Sequence, residues 1–214
     1  MKMKKQLLLA AVLTLLAAGS ARATLYTFFN SGTMSGVIPD GNPVGAVFSG
    51  TVSGHPANWT VNYGLTVTLD ISGGYAGNLY SYLVAPNGTM VVLLNEPGTT
   101  GAGSSPFGNP ASSIDITLQV GAAPITASSS LTGGNTYSAY GSLAGFNGSP
   151  MDGTWHLFFA DEVSGGGTST LTGWSLSSVV PEPVNVALPI FAAGMIGIGA
   201  VRSYRGAKKA DCQS

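Results

Sequence analysis

His55 and His156 are the only two imidazoles in this sequence, so any general base at neutral pH must be one of them. A Ser-His-Asp arrangement needs such a base beside a nucleophile and an acid that orients it. His55 falls in a Gly-His-Pro-Ala stretch that reads as a loop, and His156 follows Trp155 on a run that reads as a strand. No Gly-x-Ser-x-Gly elbow is present to expose a serine. Two histidines without a cysteine between them do not make a zinc site unless carboxylates join them. Paired acids are the other route to chemistry, as in glycoside hydrolysis. Asp161 and Glu162 are adjacent, however, and neighbours on a strand point to opposite faces. Asp152, Asp161 and Glu162 remain as hard-oxygen ligands for calcium, without the spacing of an EF-hand loop. Gly101-Ala102-Gly103 precedes no helix and lacks the logic of a phosphate loop. The expectation is therefore a non-catalytic protein, with structural calcium as its one candidate cofactor.

The elements that must position these groups are short and alternating. Val-, Thr-, Leu- and Tyr-rich runs occur at Ala46 to Gly54, Leu65 to Ser72, Asn78 to Ala85, Thr89 to Asn95, Ser113 to Val120, Thr154 to Asp161 and Leu171 to Ser178. Period-two alternation bounded by turn residues predicts half-buried strands. Pro86-Asn87-Gly88 predicts a hairpin between two of them. Gly98 to Asn109 and Ser164 to Thr168 read as loops. About seven or eight strands in a body of this size predict an all-β fold, an antiparallel sandwich or jelly roll. Trp155 and Trp174 alternate with polar neighbours and are expected between the sheets. Trp59, Tyr63, Tyr75, Tyr80 and Tyr82 are candidate stacking faces for a carbohydrate, or else core and cross-strand aromatics.

Charge is distributed unevenly. All eight Lys and Arg residues lie in the first 22 or the last 13 positions, so 24–201 holds none. Eight of the nine acids lie within that stretch. An acidic body without cations repels a phosphate backbone, so nucleic acid is not expected as a partner. The body also lacks cysteine: the single Cys212 sits near the C-terminus, a lipidation site or an incidental tail residue. The fold must stand on burial and backbone pairing alone.

Both ends read as membrane-directed. Residues 1–23 combine a basic start, an apolar stretch from Leu7 to Ala18 and the small-x-small site Ala21-Arg22-Ala23. This predicts a signal peptide, read by the Sec translocon and cleaved after Ala23, with a retained anchor as the alternative. Residues 24–36 follow as an N-terminal strand or linker, 37–178 as the sandwich domain and 179–214 as a terminal signal. In that signal, Pro181-Glu182-Pro183 forms a stiff extended segment. The uncharged stretch Val184 to Val201 follows, about 27 Å long as a helix and enough for a bilayer core. Arg202, Arg205, Lys208 and Lys209 come next and predict a cytoplasmic C-terminus.

This order, spanning roughly Val180 to Lys209, resembles the PEP-CTERM sorting signal of Gram-negative bacteria. The resemblance implies recognition of Pro181, Glu182 and Pro183 by an exosortase, a membrane-embedded cysteine protease or transpeptidase. It also implies an inner-membrane-anchored precursor whose body is then released or moved to the cell surface, in proteins that commonly occur with exopolysaccharide gene sets. A generic tail anchor is the alternative.

The body resembles a second family. Val37-Ile38-Pro39-Asp40, Gly77-Asn78-Leu79 with Pro86-Asn87-Gly88-Thr89, Gly153-Thr154-Trp155 with Asp161, and Leu171-Thr172-Gly173-Trp174-Ser175-Leu176 match motifs of the P (Homo B) domain. That domain stands beside the catalytic domain of subtilisin-like proprotein convertases. The resemblance covers about Val37 to Ser178 and implies a jelly-roll sandwich. Two departures matter: Gly73 stands where the family often has His, and Asn78 where it often has Asp, which weakens a carried-over calcium site. Two function classes follow. One is an exported surface or matrix module with a structural, adhesive or binding role toward exopolysaccharide or other envelope components. The other is an accessory domain that stabilises a serine protease in trans, or a carbohydrate-binding module.

Overall fold

In the computed structural model, residues 23–57 and 59–181 are described. Among these residues ten strands form an all-β sandwich. In chain order they are β1 (Ala23–Asn30), β2 (Gly36–Ile38), β3 (Asn42–Val52), β4 (Leu65–Ser72), β5 (Leu79–Val84), β6 (Met90–Asn95), β7 (Ser113–Leu118), β8 (Asn135–Tyr137), β9 (Gly153–Asp161) and β10 (Ser169–Pro181). One sheet runs β1-β10-β4-β7-β8, with β2 also paired to β10, and the other runs β3-β9-β5-β6. Neighbours are antiparallel wherever register is defined, except β7 and β8, which are parallel.

Alternation decides which residues enter the core. Strand β4 buries Leu65, Val67, Leu69 and Ile71 and turns Thr66, Thr68 and Asp70 outward. Opposite them, β9 buries Trp155, Leu157 and Phe159. Trp155 is fully buried and Trp174 is 2% exposed, so both indoles lie between the sheets. A bulge between Leu171 and Gly173 resets β10, and Trp174 thereby pairs with core-facing Leu69. A second irregularity, between Ser81 and Tyr82, displaces β6 against β5. The Ser81 hydroxyl, buried at that point, accepts the Leu94 N–H at 3.1 Å and keeps the amide satisfied.

The first two strands close the edge. Strand β2 pairs with the start of β10, while β1 lies along its later part, where Thr27 Oγ1 and Ser177 Oγ meet at 2.8 Å. Residues 23–38 thus form one interrupted edge rather than a linker. Two glycines let the sheets meet here: a Cβ at Gly50 of β3 would strike the Phe29 ring, and one at Gly36 of β2 would strike Phe48. The expected hairpin is present, closed by Gly88 N–H to Ala85 O at 2.9 Å, with Gly88 in the left-handed region at φ 84°. Pro86 of that hairpin lies where a Cβ on Gly153 would be, so the start of β9 packs against the turn.

All seven expected strands are present; β4 has the expected bounds and the other six have shifted ends. Strand β3 begins at Asn42 rather than Ala46, and β10 extends from Ser169 to Pro181. Strands β2 and β8, three residues each, are too short to show a period of two. Both expected loops are irregular. The first is ordered by Asn109, which is 1% exposed and whose Nδ2 donates to Thr126 O at 2.8 Å and Ser129 O at 2.9 Å.

Candidate functional site

Strand β9 carries a candidate site at each end. At its start, the turn before Gly153 presents Asp152 to the loop that follows β3. Asp152 Oδ1 accepts from His55 Nδ1 at 2.5 Å, and Oδ2 accepts the His55 backbone N–H at 3.0 Å. A carboxylate only accepts, so Nδ1 donates to it, while Nε2 lies 3.2 Å from the Tyr26 hydroxyl, which donates to a neutral ring and accepts from a protonated one. The imidazole also lies over Trp59, with ring centroids 5.4 Å apart at 26°, and Tyr26 stands edge-on to both rings. The hydrogen bond from the His55 ring holds the Asp152 carboxyl below its ordinary range. Partial desolvation opposes this, and the His55 backbone N–H, the His55 charge and the Gly54 backbone add to it.

This string has the order of a hydrolytic triad, with a phenol where the nucleophile would be. The serine is elsewhere: Ser49 Oγ lies 2.8 Å from His156 Nδ1, a cross-strand pair on the outer face of the β3-β9 sheet. Among the described residues, His55 is thus bonded to an acid but no serine, and His156 to a serine but no acid. What the His55 cluster does physically is tie β1, the loop after β3 and the start of β9 together.

At the other end of β9 stands Asp161, between Asn42 of β3 and Leu79 of β5 in the register. It is fully buried. Its Oδ1 accepts the Val163 N–H at 3.2 Å, while its Oδ2 is buried without a hydrogen-bond partner. Burial pushes this carboxyl above its ordinary range. The nearby Val163 and Gly41 amides pull it down, and the charge of Asp40 pushes it further up. Asp40 accepts the Gly165 N–H at 3.0 and 3.2 Å. Asn78 donates its Nδ2 to Val163 O at 2.9 Å, and its backbone carbonyl accepts the Glu162 N–H at 2.9 Å.

The structure therefore separates the three expected calcium ligands. Asp152 precedes and Asp161 ends a nine-residue strand, roughly 30 Å long. Glu162 is exposed beside buried Asp161, as neighbours on an extended chain should be. Among the described residues, no group of three or more His, Cys, Asp and Glu side chains is placed to hold a metal ion. Asp40 and Asn78 are the partners that the sequence left unpaired with Asp161. Asp40 belongs to the Val-Ile-Pro-Asp segment, read from the sequence without a site, and Asn78 to Gly-Asn-Leu, where asparagine replaces the aspartate that the resemblance ties to a calcium site.

The aromatic candidates do not form one platform. Trp59 belongs to the His55 cluster, and Tyr63 is 83% exposed with φ 55° in a loop. Tyr75 packs beside Gly166. Tyr80 and Tyr82 share the outer face of β5, where Tyr82 stacks on Phe158 at 4.6 Å and 14°. Register aligns Val47, Phe158, Tyr82 and Val92 in one row across all four strands of that sheet. A separate cleft of about 230 Å³ lies beside the first glycine-rich loop, lined by residues such as Leu93, Ile125, Ala139 and Tyr140, and holds no acid, histidine or cysteine.

Pro181 is the last residue of β10, and Ala23 is the first of β1. Ala21, Glu182, Pro183, Arg202, Arg205, Lys208 and Lys209, and the apolar stretch 184–201, lie outside the described residues. Among the described residues, no helix is long and apolar enough to cross a membrane.

No described protein family and no curated protein sequence matches this chain. Among solved structures it is similar to the serine protease of Aeromonas sobria in complex with the chaperone ORF2, with 14% identity and a TM-score of 0.44. It is also similar to the serine protease of Aeromonas sobria alone, with 15% identity and a TM-score of 0.43. Each match covers 79% of this chain and 29% of the other, so the chain spans less than a third of the proteins it matches.

Proposed function

We propose that this protein is an exported envelope protein, delivered by an N-terminal signal peptide and sorted to the cell surface through Pro181-Glu182-Pro183 by an exosortase. The sandwich serves as a non-catalytic structural or binding module. The observation that carries this reading is the C-terminal order: a Pro-Glu-Pro segment that begins on the last residue of β10, then 18 uncharged residues and a basic cluster. Strand β10 ends at Pro181, so a cut or transfer beyond that point leaves every strand in place.

The position of the ends supports the same reading. Leu25 and Val180 belong to adjacent strands, β1 and β10, each within three residues of the Thr27–Ser177 contact. The body is of the P-domain type in this reading. Its Gly-x-Trp opens β9 with Trp155 in the core, and its Leu-x-x-Trp-x-Leu places Leu171, Trp174 and Leu176 on the core face of β10. A non-catalytic role agrees with the His55 ring being occupied by Tyr26 and stacked on Trp59. Within that role, the Val47-Phe158-Tyr82-Val92 row offers a surface for an uncharged glycan.

The test is to fractionate cells with and without the exosortase and read the C-terminus of the mature product by mass spectrometry. The expected product with the enzyme lacks 184–209 and leaves the inner membrane, while without it the tail remains. A tail retained in both strains removes the sorting proposal.

A further inference from the structure

The edges of the two sheets are finished in different ways. Strand β8 ends its sheet with only three residues. At one end of the four-stranded sheet, β6 is closed by the chain itself: Tyr140 and Gly141 donate their amides to Leu93 O at 2.9 Å and Val92 O at 2.8 Å. The other end of that sheet is β3, eleven residues long, and among the described residues its one strand neighbour is β9. A strand so placed presents a row of backbone donors and acceptors on its far side, a template for another strand. Such edges are usually guarded by charge, proline or a bulge. Here Pro43 and the irregularity between Asn42 and Ala46, with Gly45 at φ 63°, guard only the start of the strand. From Ala46 to Val52 the register with β9 is unbroken and no side chain is charged.

That run is complementary to itself. Phe48 and Val52 turn toward the core, while Val47, Ser49 and Thr51 are exposed on the outer face. The outward hydroxyls are bonded within their own sheet, Ser49 to His156 at 2.8 Å and Thr51 to Thr154 at 3.2 Å. What the far side of β3 offers is therefore backbone. Two copies laid antiparallel about a two-fold axis at Ser49 bring Phe48 of each beside the partner's Gly50. A large ring then meets a residue without a side chain, twice over. On the outer face Val47, which is 60% exposed, is covered by the partner's Thr51. No like charges meet anywhere in this register. The paired run spans about 23 Å and forms about six to eight backbone hydrogen bonds.

We propose that β3 is a self-association edge, and that two copies of this chain join there through Ala46 to Val52 into one continuous sheet. The contact is isologous: Phe48 meets the partner's Gly50 and Gly50 meets the partner's Phe48, so the pair closes and uses up the edge of both copies. Its length puts it at the small end of specific interfaces, and the dissociation constant is expected in the micromolar range. The contact needs neither the sorting signal nor a glycan, so it stands or falls separately from the proposed function.

The test uses the full chain purified in detergent, followed by sedimentation velocity and hydrogen exchange over a concentration series. The wild type should pass from monomer to dimer as concentration rises. Amide exchange in Ala46 to Val52 should slow in step, while exchange in β6 stays unchanged. Ser49→Lys and Ser49→Glu set like charges face to face at the two-fold axis, on an exposed position. Each alone should weaken association at least about tenfold with little change in Tm. Mixed in equal amounts, the two variants should pair at least as tightly as the wild type, a recovery that association through another surface does not give. If either variant misfolds, the wild-type exchange series decides alone. The proposal is overturned if exchange in Ala46 to Val52 is independent of concentration, because water or a segment of the same chain then occupies the edge. It is equally overturned if both variants associate as the wild type does, or if mixing them restores nothing, because the copies then meet elsewhere.

Discussion

Asp152 and Asp161 bracket one strand, and their surroundings drive them in opposite directions. Asp152, about a third exposed, receives two hydrogen bonds from His55 and is held as a carboxylate. Asp161, fully buried, receives one amide bond, faces the charge of Asp40 and is pushed toward the neutral form. The residue type is the same and the strand is the same. What differs is whether a cation is within reach and how much water is left. In a body with no Lys or Arg, histidine is the only internal counter-charge, and it serves one end only. Among the described residues the other end has no counter-charge, and burial pushes its carboxyl toward the neutral form.

The strongest way to break this comparison is to remove what holds the Asp152 end in place. Trp155 is fully buried, packs against Phe28 and Phe146, and donates Nε1–H to Met151 O at 3.0 Å. That bond fixes the residue before Asp152. Trp155→Ala should cost about 3 to 5 kcal/mol in urea unfolding, a large share of the stability of a domain this size. Leu157 and Phe159 still anchor the Asp161 end, so hydrogen exchange should rise first near His55 and last near Val163. Equal loss of protection at both ends would mean the two sites are not separately supported.

A smaller effect is expected from Asp152→Asn, which keeps the shape and removes the charge. Asp152 has a depressed folded pKa, so its contribution is present above the unfolded value, about 3.9, and is lost as pH falls through the folded value. The variant should melt below the wild type near neutrality, and the gap should close in acid, where the wild type is protonated too. A gap that stays constant over the whole pH range would assign the loss to shape rather than to the ion pair.

The asymmetry between the two ends was only partly visible in the amino-acid order. Strand β4 reads without error because four buried residues alternate with half-buried or exposed polar ones over its whole length. The opposite fates of Asp161 and Glu162 follow from the same alternation, and so does the shared face of Tyr80 and Tyr82. The contact between His55 and Asp152 is different. It joins positions 97 residues apart, through the pairing of β3 with β9, and no local pattern encodes it. Asp40 and Asn78 were legible as members of turns, but their meeting at one loop is a product of topology. The orphaned oxygen of Asp161 depends on how closely three turns pack, a property with no period.

A third carboxyl sharpens the rule from the outer face of the other sheet. Asp70 of β4 stands directly opposite Asp115 of β7, with no cation between them in the sequence. Partial burial raises the Asp70 pKa, and the charge of Asp115 and a hydrogen bond to it raise it further. A raised pKa means stability that is fully present below the unfolded value and lost as pH rises through the folded one. The wild type therefore bears the repulsion near neutrality and escapes it in acid. Asp70→Asn should stabilise the protein by about 0.5 kcal/mol near neutrality, the usual scale of a like-charged cross-strand pair. The gain should vanish in acid, the reverse of Asp152→Asn in sign although both variants remove one negative charge. Melting the two variants side by side across pH separates a carboxylate that has found a hydrogen-bond donor from one that has found another carboxylate. A loss in Asp70→Asn near neutrality would place Asp70 with Asp152, as a charge the fold uses.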